Sequence, residues 1–191
     1  MKIVVASGNA HKIEEIKEIL KDYEVVSYKN DYPNHPSPDE NGSTLRENSF
    51  IKARDIKDLY DAIVIADDSG IFCDAINGDP GVHSARYAGE PCDDAKNNSL
   101  LIKNLNGKDR TARFRSTICL IEKDDSVHYF EGECVGKIID IPRGTNGFGY
   151  DPHFLPDGFD KTFAEMNADE KNKISHRRKA LEKLREYFDK K

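Results

Sequence analysis

Several things are missing from this 191-residue chain, and each absence narrows what it can be. No run approaches the roughly 18 consecutive apolar residues of a membrane span, and the opening "MKIVVASGNAHK" holds too short an apolar stretch for a signal peptide. The four cysteines, Cys73, Cys92, Cys119 and Cys134, lie far apart with no CxxC pair, which argues against a zinc cage and a disulfide scaffold. Reduced thiols in the cytoplasm are the simplest expectation. There is no basic surplus: 35 acidic residues outnumber 29 basic ones for a net charge of −6, so nucleic acid and anionic membranes are not expected partners. Any polyanion would need a local basic pocket. Internal repeats, low-complexity tails and a Walker phosphate-loop motif are also lacking, which leaves one domain with enough chain to bury a core.

What is present reads as alternating α and β. Residues 2 to 7 predict a buried strand, and Ile13, Ile16, Ile19 and Leu20 then recur at helical spacing. "YEVVSY" predicts a second strand, followed by a proline-rich polar loop. Thr44, three residues before Glu47, predicts a capping box and a helix from about residue 45. That helix leads into "IVIADDSGIF", residues 63 to 72, where the spacing predicts a strand ending at Asp67 and Asp68 and a second short strand near Ile71 to Ala75. Farther on come a helix over "AKNNSLLIKNL", a hairpin from "TARFRSTICLIEK" and "SVHYFEGECVGKII", one short strand after the glycine-rich "GTNGFGYDPHF", and a closing helix "ALEKLREYF".

Two features point to an anionic ligand. Lys12 stands in the first turn of the first helix, where the macrodipole favours a carboxylate, and the preceding "SGNAHK" joins strand to helix as a phosphate cradle would. Near the C-terminus, one helix through residues 169 to 188 would set Arg177 on the face of Leu181 and Leu184, an ill-matched arrangement. A new helix capped by Ser175 instead crowds His176, Arg177, Arg178 and Lys179 at its positive end, unfavourable unless an anion compensates. The alternatives are plain: Asn9 as a simple N-cap with Lys12 in solvent, and the C-terminal cations as a solvated face. Asp39, Glu40, Glu47, Asp67 and Asp68 offer carboxylates, and a hard divalent ion bridging phosphates needs only one or two. Within the decamer itself, Asp67 and Asp68 fit a turn as well as a metal site.

Together "ASGNAHKIEEI", "ENGSTLRENSFIKAR", "ADDSGIFCDAINGDPGVHSARYAG", "GTNGFGYDPHF" and "TFAEMNADEKNKISHRRKAL" make the chain resemble, over nearly its whole length, the inosine triphosphate pyrophosphatase family. The resemblance implies an α/β fold with an elongated mixed β-sheet flanked by helices, two lobes around a central cleft within one domain of residues 1–191, and a magnesium-dependent cytoplasmic homodimer. It implies hydrolysis of ITP, dITP and XTP to the monophosphate and pyrophosphate. By the same resemblance Ser7, Gly8, Asn9, Ala10, His11 and Lys12 form the phosphate loop, with Lys52 beside them. Glu40 and Asp68 hold magnesium, Asp68 also serves as proton acceptor, and Ser69 touches substrate. Phe148, Gly149, Tyr150, Asp151, Lys171, His176 and Arg177 line the base pocket. Asp67 is left open between a supporting partner and a structural cap. The competing readings are a pyrophosphatase of modified pyrimidine nucleotides, a general metal phosphatase, and a non-enzymatic nucleotide sensor or RNA-binding module.

Overall fold

A computed structural model describes residues 1–191 and contains one six-stranded sheet. The elements run β1 (Lys2–Val5), α1 (Ala10–Ile19), β2 (Glu24–Ser27), α2 (Leu45–Lys57), β3 (Ile63–Cys73), α3 (Asp94–Asn104), β4 (Thr111–Ile121), β5 (Val127–Ile138), β6 (Phe154–Pro156), α4 (Ala168–Asn172) and α5 (His176–Asp189). The strand order is β2-β1-β3-β4-β5-β6. β1 pairs in parallel with β2 and β3, whereas β5 and β6 are antiparallel, so the sheet is mixed and the α/β expectation holds. No helix is long and apolar enough to cross a membrane.

The chain divides into two compact units, one of residues 1–68, 116–132 and 177–191, the other of residues 69–115 and 133–176. In the first unit the two-residue period of the strands sorts side chains onto two faces. Ile3 and Val5 of β1, Ile63 and Ile65 of β3, and Ile118 and Leu120 of β4 pack in one cluster with Ile16, Ile19 and Leu20 from α1 and Ala180, Leu181 and Leu184 from α5. The intervening residues Val4, Ala6, Val64, Ala66, Cys119 and Ile121 pack in another with Ala53 and Ile56 of α2. The second unit gathers its own core from Ile71, Cys73, Leu101, Leu105, Phe114, Cys134, Phe154 and Phe163.

Three local expectations change. β3 is one continuous strand of eleven residues, so Asp67 and Asp68 lie inside it and not at its end. Gly70, which suggests a turn in the sequence, is there for close approach: a Cβ on it would sit 2.2 Å from the Gly81 carbonyl oxygen. The capping box at α2 is only half made. The Thr44 hydroxyl accepts from the Glu47 amide at 3.1 Å, but the Glu47 carboxylate accepts from the amide and hydroxyl of Ser43 at 2.6 and 2.8 Å. Finally, residues 168–189 form two helices, as the Ser175 alternative requires, yet Arg177 still shares the buried face of Leu181 and Leu184.

Candidate active site

In the first unit the loop after β1 is built by its own side chains. Ser7 Oγ accepts from the Asn9 amide at 3.1 Å, Asn9 Oδ1 accepts from the Lys12 amide at 3.1 Å, and the Ser27 hydroxyl donates to the Ser7 carbonyl at 3.0 Å. Asn9 is therefore the N-cap of α1, whose first turn carries no acidic residue. Gly8, Asn9, Ala10 and His11 are exposed, which leaves the loop backbone accessible. Lys12 does not point to solvent: its Nζ lies 2.8 Å from Asp67 Oδ2.

Asp67 receives more than this lysine. Oδ2 also accepts from Arg177 Nη2 at 3.1 Å and Nε at 3.3 Å, and Oδ1 accepts from the Ser116 hydroxyl at 2.5 Å. Arg177 Nη1 donates to Glu15 on α1. Burial would raise the Asp67 carboxyl, but Arg177 and Lys12 outweigh it and hold the group well below the usual carboxylate range. Arg177 is shifted the opposite way: burial alone would lower it, while Asp67 and then Glu15 raise it above the ordinary guanidinium value. The two cations that look misplaced in the sequence thus have protein carboxylates as counter-ions, so neither needs an external anion to offset it, and Lys12 does not stand in solvent.

Asp68 belongs to the other face of β3. Its Oδ1 accepts from Lys52 Nζ at 2.6 Å, and the same nitrogen donates to Glu40 Oε2 at 3.1 Å. Asp68 Oδ2 is buried without a hydrogen-bond partner. Burial raises the Asp68 carboxyl, with Lys52 opposing. For Lys52 burial acts downward but Asp68 and Glu40 together raise it, so the ammonium stays charged. Adjacent residues of a strand face opposite ways, which is why Asp67 meets α1 and α5 while Asp68 meets α2.

The donor set suits a hard cation. Glu40 and Asp68 converge on one nitrogen, and an unpaired buried carboxylate oxygen is a group that a metal would satisfy. No group of three or more His, Cys, Asp or Glu side chains is placed to bind a metal, so a cation here would need ligands beyond the protein, as magnesium on a polyphosphate has.

In the second unit the residues of the glycine-rich segment assemble around Asp151. Asp151 Oδ2 accepts from the Phe148 amide at 3.1 Å and from Lys171 Nζ at 2.9 Å, and that ammonium lies 5.1 Å from the Phe148 ring centroid and 5.6 Å from that of Phe163. Gly149 has φ of +62°, a left-handed conformation suited to glycine. Its amide donates to Asp94 at 2.8 Å and its carbonyl accepts from Asn98 Nδ2 at 2.9 Å, so α3 fixes the loop. The Tyr150 hydroxyl donates to the Ser84 carbonyl at 2.6 Å, and burial raises its pKa above the usual phenol value. His176 is buried, stacked on Phe114 with centroids 4.8 Å apart. Ser69 is half-buried in β3 directly after Asp68.

Residues 3–187 match the model of the Ham1 family. The chain belongs to the Ham1 family. Among family relatives, the dITP/XTP pyrophosphatase of Thermoanaerobacter pseudethanolicus is 47% identical over 192 residues, covering 98% of this chain and 96% of the relative. That of Lactobacillus acidophilus is 47% identical over 195 residues, covering 96% and 95%. Of solved structures, the Ham1 protein of Staphylococcus aureus has a TM-score of 0.89 at 40% identity over 99% of this chain and 98% of that one. The HAM1 protein of Coxiella burnetii has a TM-score of 0.89 at 38% identity over the whole of both chains.

Sequence reasoning passed over Glu15, Ser116, Asp94 and Asn98. Glu15 had a signal, one helical turn from Lys12 on α1. Ser116 is a polar residue in the row of Ile118 and Leu120. Asp94 and Asn98 look like ordinary residues of an N-terminal helical turn.

Proposed function

We propose that the chain hydrolyses non-standard purine nucleoside triphosphates, ITP, dITP and XTP, to the nucleoside monophosphate and pyrophosphate with magnesium. The observation that carries this reading is the buried Asp68, with Lys52 on one carboxylate oxygen, no hydrogen-bond partner on the other, and Glu40 sharing the lysine. Relatives nearly half identical along the whole chain bear the name dITP/XTP pyrophosphatase, which supports it. Magnesium, held by Glu40 and Asp68, would neutralise charge on the polyphosphate oxygens.

The protein's own groups do the rest. The amides of Gly8 and Ala10, on either side of the Asn9 amide that Ser7 already holds, donate to phosphate oxygens, with the macrodipole of α1 adding attraction. Lys12 and Lys52 steady the polyphosphate and the charge that develops on it. Asp68 orients the attacking water and takes a proton as oxygen bonds to the α-phosphorus and the link to the β-phosphate breaks. Positioning and charge stabilisation carry most of the rate in such chemistry.

Selectivity follows from donor and acceptor matching. The Phe148 ring offers a face to the base, while the Phe148 and Gly149 amides are held by Asp151 and Asp94 and Lys171 braces the loop through Asp151. Hypoxanthine and xanthine present a 6-oxo acceptor where adenine has an amino donor, and a guanidinium has donors only. A donor from His176 or Arg177 at that position accepts ITP and XTP and leaves adenine mismatched, and an unpaired polar group of that type discriminates strongly. The deciding experiment is a panel of triphosphates with and without magnesium, coupled to inorganic pyrophosphatase. Magnesium-dependent pyrophosphate release from ITP, dITP and XTP far above ATP and GTP is expected; orthophosphate release, or equal turnover of ATP, would overturn the reading. A homodimer is proposed too, to be measured by light scattering on the eluting protein.

A further inference from the structure

We propose that Asp67, seated by Ser116, is a positioning residue that ties Lys12 of the phosphate loop to Arg177 and so sets purine selectivity through a carboxylate closed off from solvent. The proposal rests on the functional reading above. Three nitrogens from two cations converge on Asp67 Oδ2, Lys12 Nζ at 2.8 Å and Arg177 Nη2 and Nε at 3.1 and 3.3 Å. The Asp67 side chain is 0% exposed, so water cannot take the place of either cation without opening the core. Whatever draws Lys12 toward a phosphate therefore changes the balance on the oxygen that also holds Arg177. The converse follows by linkage.

Ser116 explains why this carboxylate keeps one orientation. It lies on β4, fully buried, in the strand row of the apolar Ile118 and Leu120, where a hydroxyl without a partner would be costly. Its partner is Asp67 Oδ1 at 2.5 Å, which locks the carboxylate so that Oδ2 faces Lys12 and Arg177. Glu15 closes the arrangement from α1 by accepting from Arg177 Nη1. Lys12, Arg177, Asp67 and Glu15 sum to zero charge, and the guanidinium, gripped by carboxylates from β3 and α1, has its plane and hence its donor directions set.

The test compares kcat/KM for ITP and for ATP, with magnesium, in the wild type, Ser116→Ala and Asp67→Asn, with a thermal melt of each protein. Ser116→Ala removes one hydroxyl and adds no bulk; Asp67→Asn keeps the shape and removes the charge. The expected result is an ITP-to-ATP ratio reduced about tenfold in Ser116→Ala and further in Asp67→Asn, with KM for ITP rising more than kcat falls. A residue that only stabilised the fold would lower both substrates' kcat/KM together and leave the ratio alone. If Asp67→Asn does not fold, Ser116→Ala decides. A selective wild type whose ratio moves less than about twofold in folded Ser116→Ala overturns this inference and leaves the functional reading standing. A wild type that does not separate ITP from ATP overturns that reading and this inference with it.

Discussion

Asp67 and Asp68 are neighbours in sequence and inhabit different chemical worlds. Asp67 accepts from two cations and a serine, and its carboxyl is held well below the ordinary range. Asp68 has one lysine, an oxygen without a hydrogen-bond partner, and a carboxyl raised by burial. The first is saturated by the protein, and the second is left incomplete. A buried polar group left incomplete costs stability, so it is the one to associate with a ligand, while the saturated one organises its surroundings.

Substitutions should separate the two. The largest effect is expected from Asp68→Ala: turnover falls by about three orders of magnitude or more while the circular dichroism spectrum stays native. Near-normal pyrophosphate release from that variant would remove Asp68 from the chemistry. EDTA should produce a loss of similar size in the wild type, recovered on adding magnesium; activity that persists in the chelator would count against the Glu40 and Asp68 assignment.

Asp67→Ala should cost stability in addition to selectivity. It takes from the buried Arg177 the carboxylate that accepts from two of its nitrogens, and breaking such a pair costs about 3–5 kcal/mol, readable as a shift of the urea midpoint. The pH dependence follows in sign. Because the folded Asp67 pKa lies below its unfolded value, near 3.9, its stabilisation is present above that value and is lost as pH falls through it toward the folded pKa. Asp67→Asn should therefore flatten the acid limb of stability below about pH 4, and an unchanged limb would contradict the pairing.

Gly70→Ala tests the continuous strand that separates the aspartates. Its Cβ would meet the Gly81 carbonyl, so a loss of about 1–3 kcal/mol is expected in denaturant melts, whereas a free turn would tolerate alanine. Smallest is Thr44→Ala, about 1 kcal/mol from the cap of α2, with little effect on activity, since Lys52 lies two turns farther along.

Much of the fold was legible in the chain because it rests on local rules. Ile3, Val4 and Val5 mark β1, Asn9 and Thr44 mark helix starts, and the alternation around residues 111–138 marks a hairpin. The break placed within β3 failed because Asp, Ser and Gly carry turn propensity only while their side chains seek local amides. Here Asp67 and Asp68 turn to partners distant in sequence, Lys12, Arg177 and Ser116 for the first and Lys52 for the second, and Gly70 is shaped by the backbone of Gly81. The cations at 12 and 177 were visible as anomalies, but their counter-ion was not, since Asp67 and Arg177 are 110 residues apart.

The sequence by itself determined the α/β order, the helix caps, the acidic and basic residues available, and membership of a family through its motifs, because spacing and residue chemistry travel with the chain. Only the tertiary structure decided which aspartate is saturated and which is open. That outcome depends on strand parity: β3 runs unbroken, so successive side chains point to opposite faces, and the cations of α1 and α5 stand on one side while the lysine of α2 stands on the other.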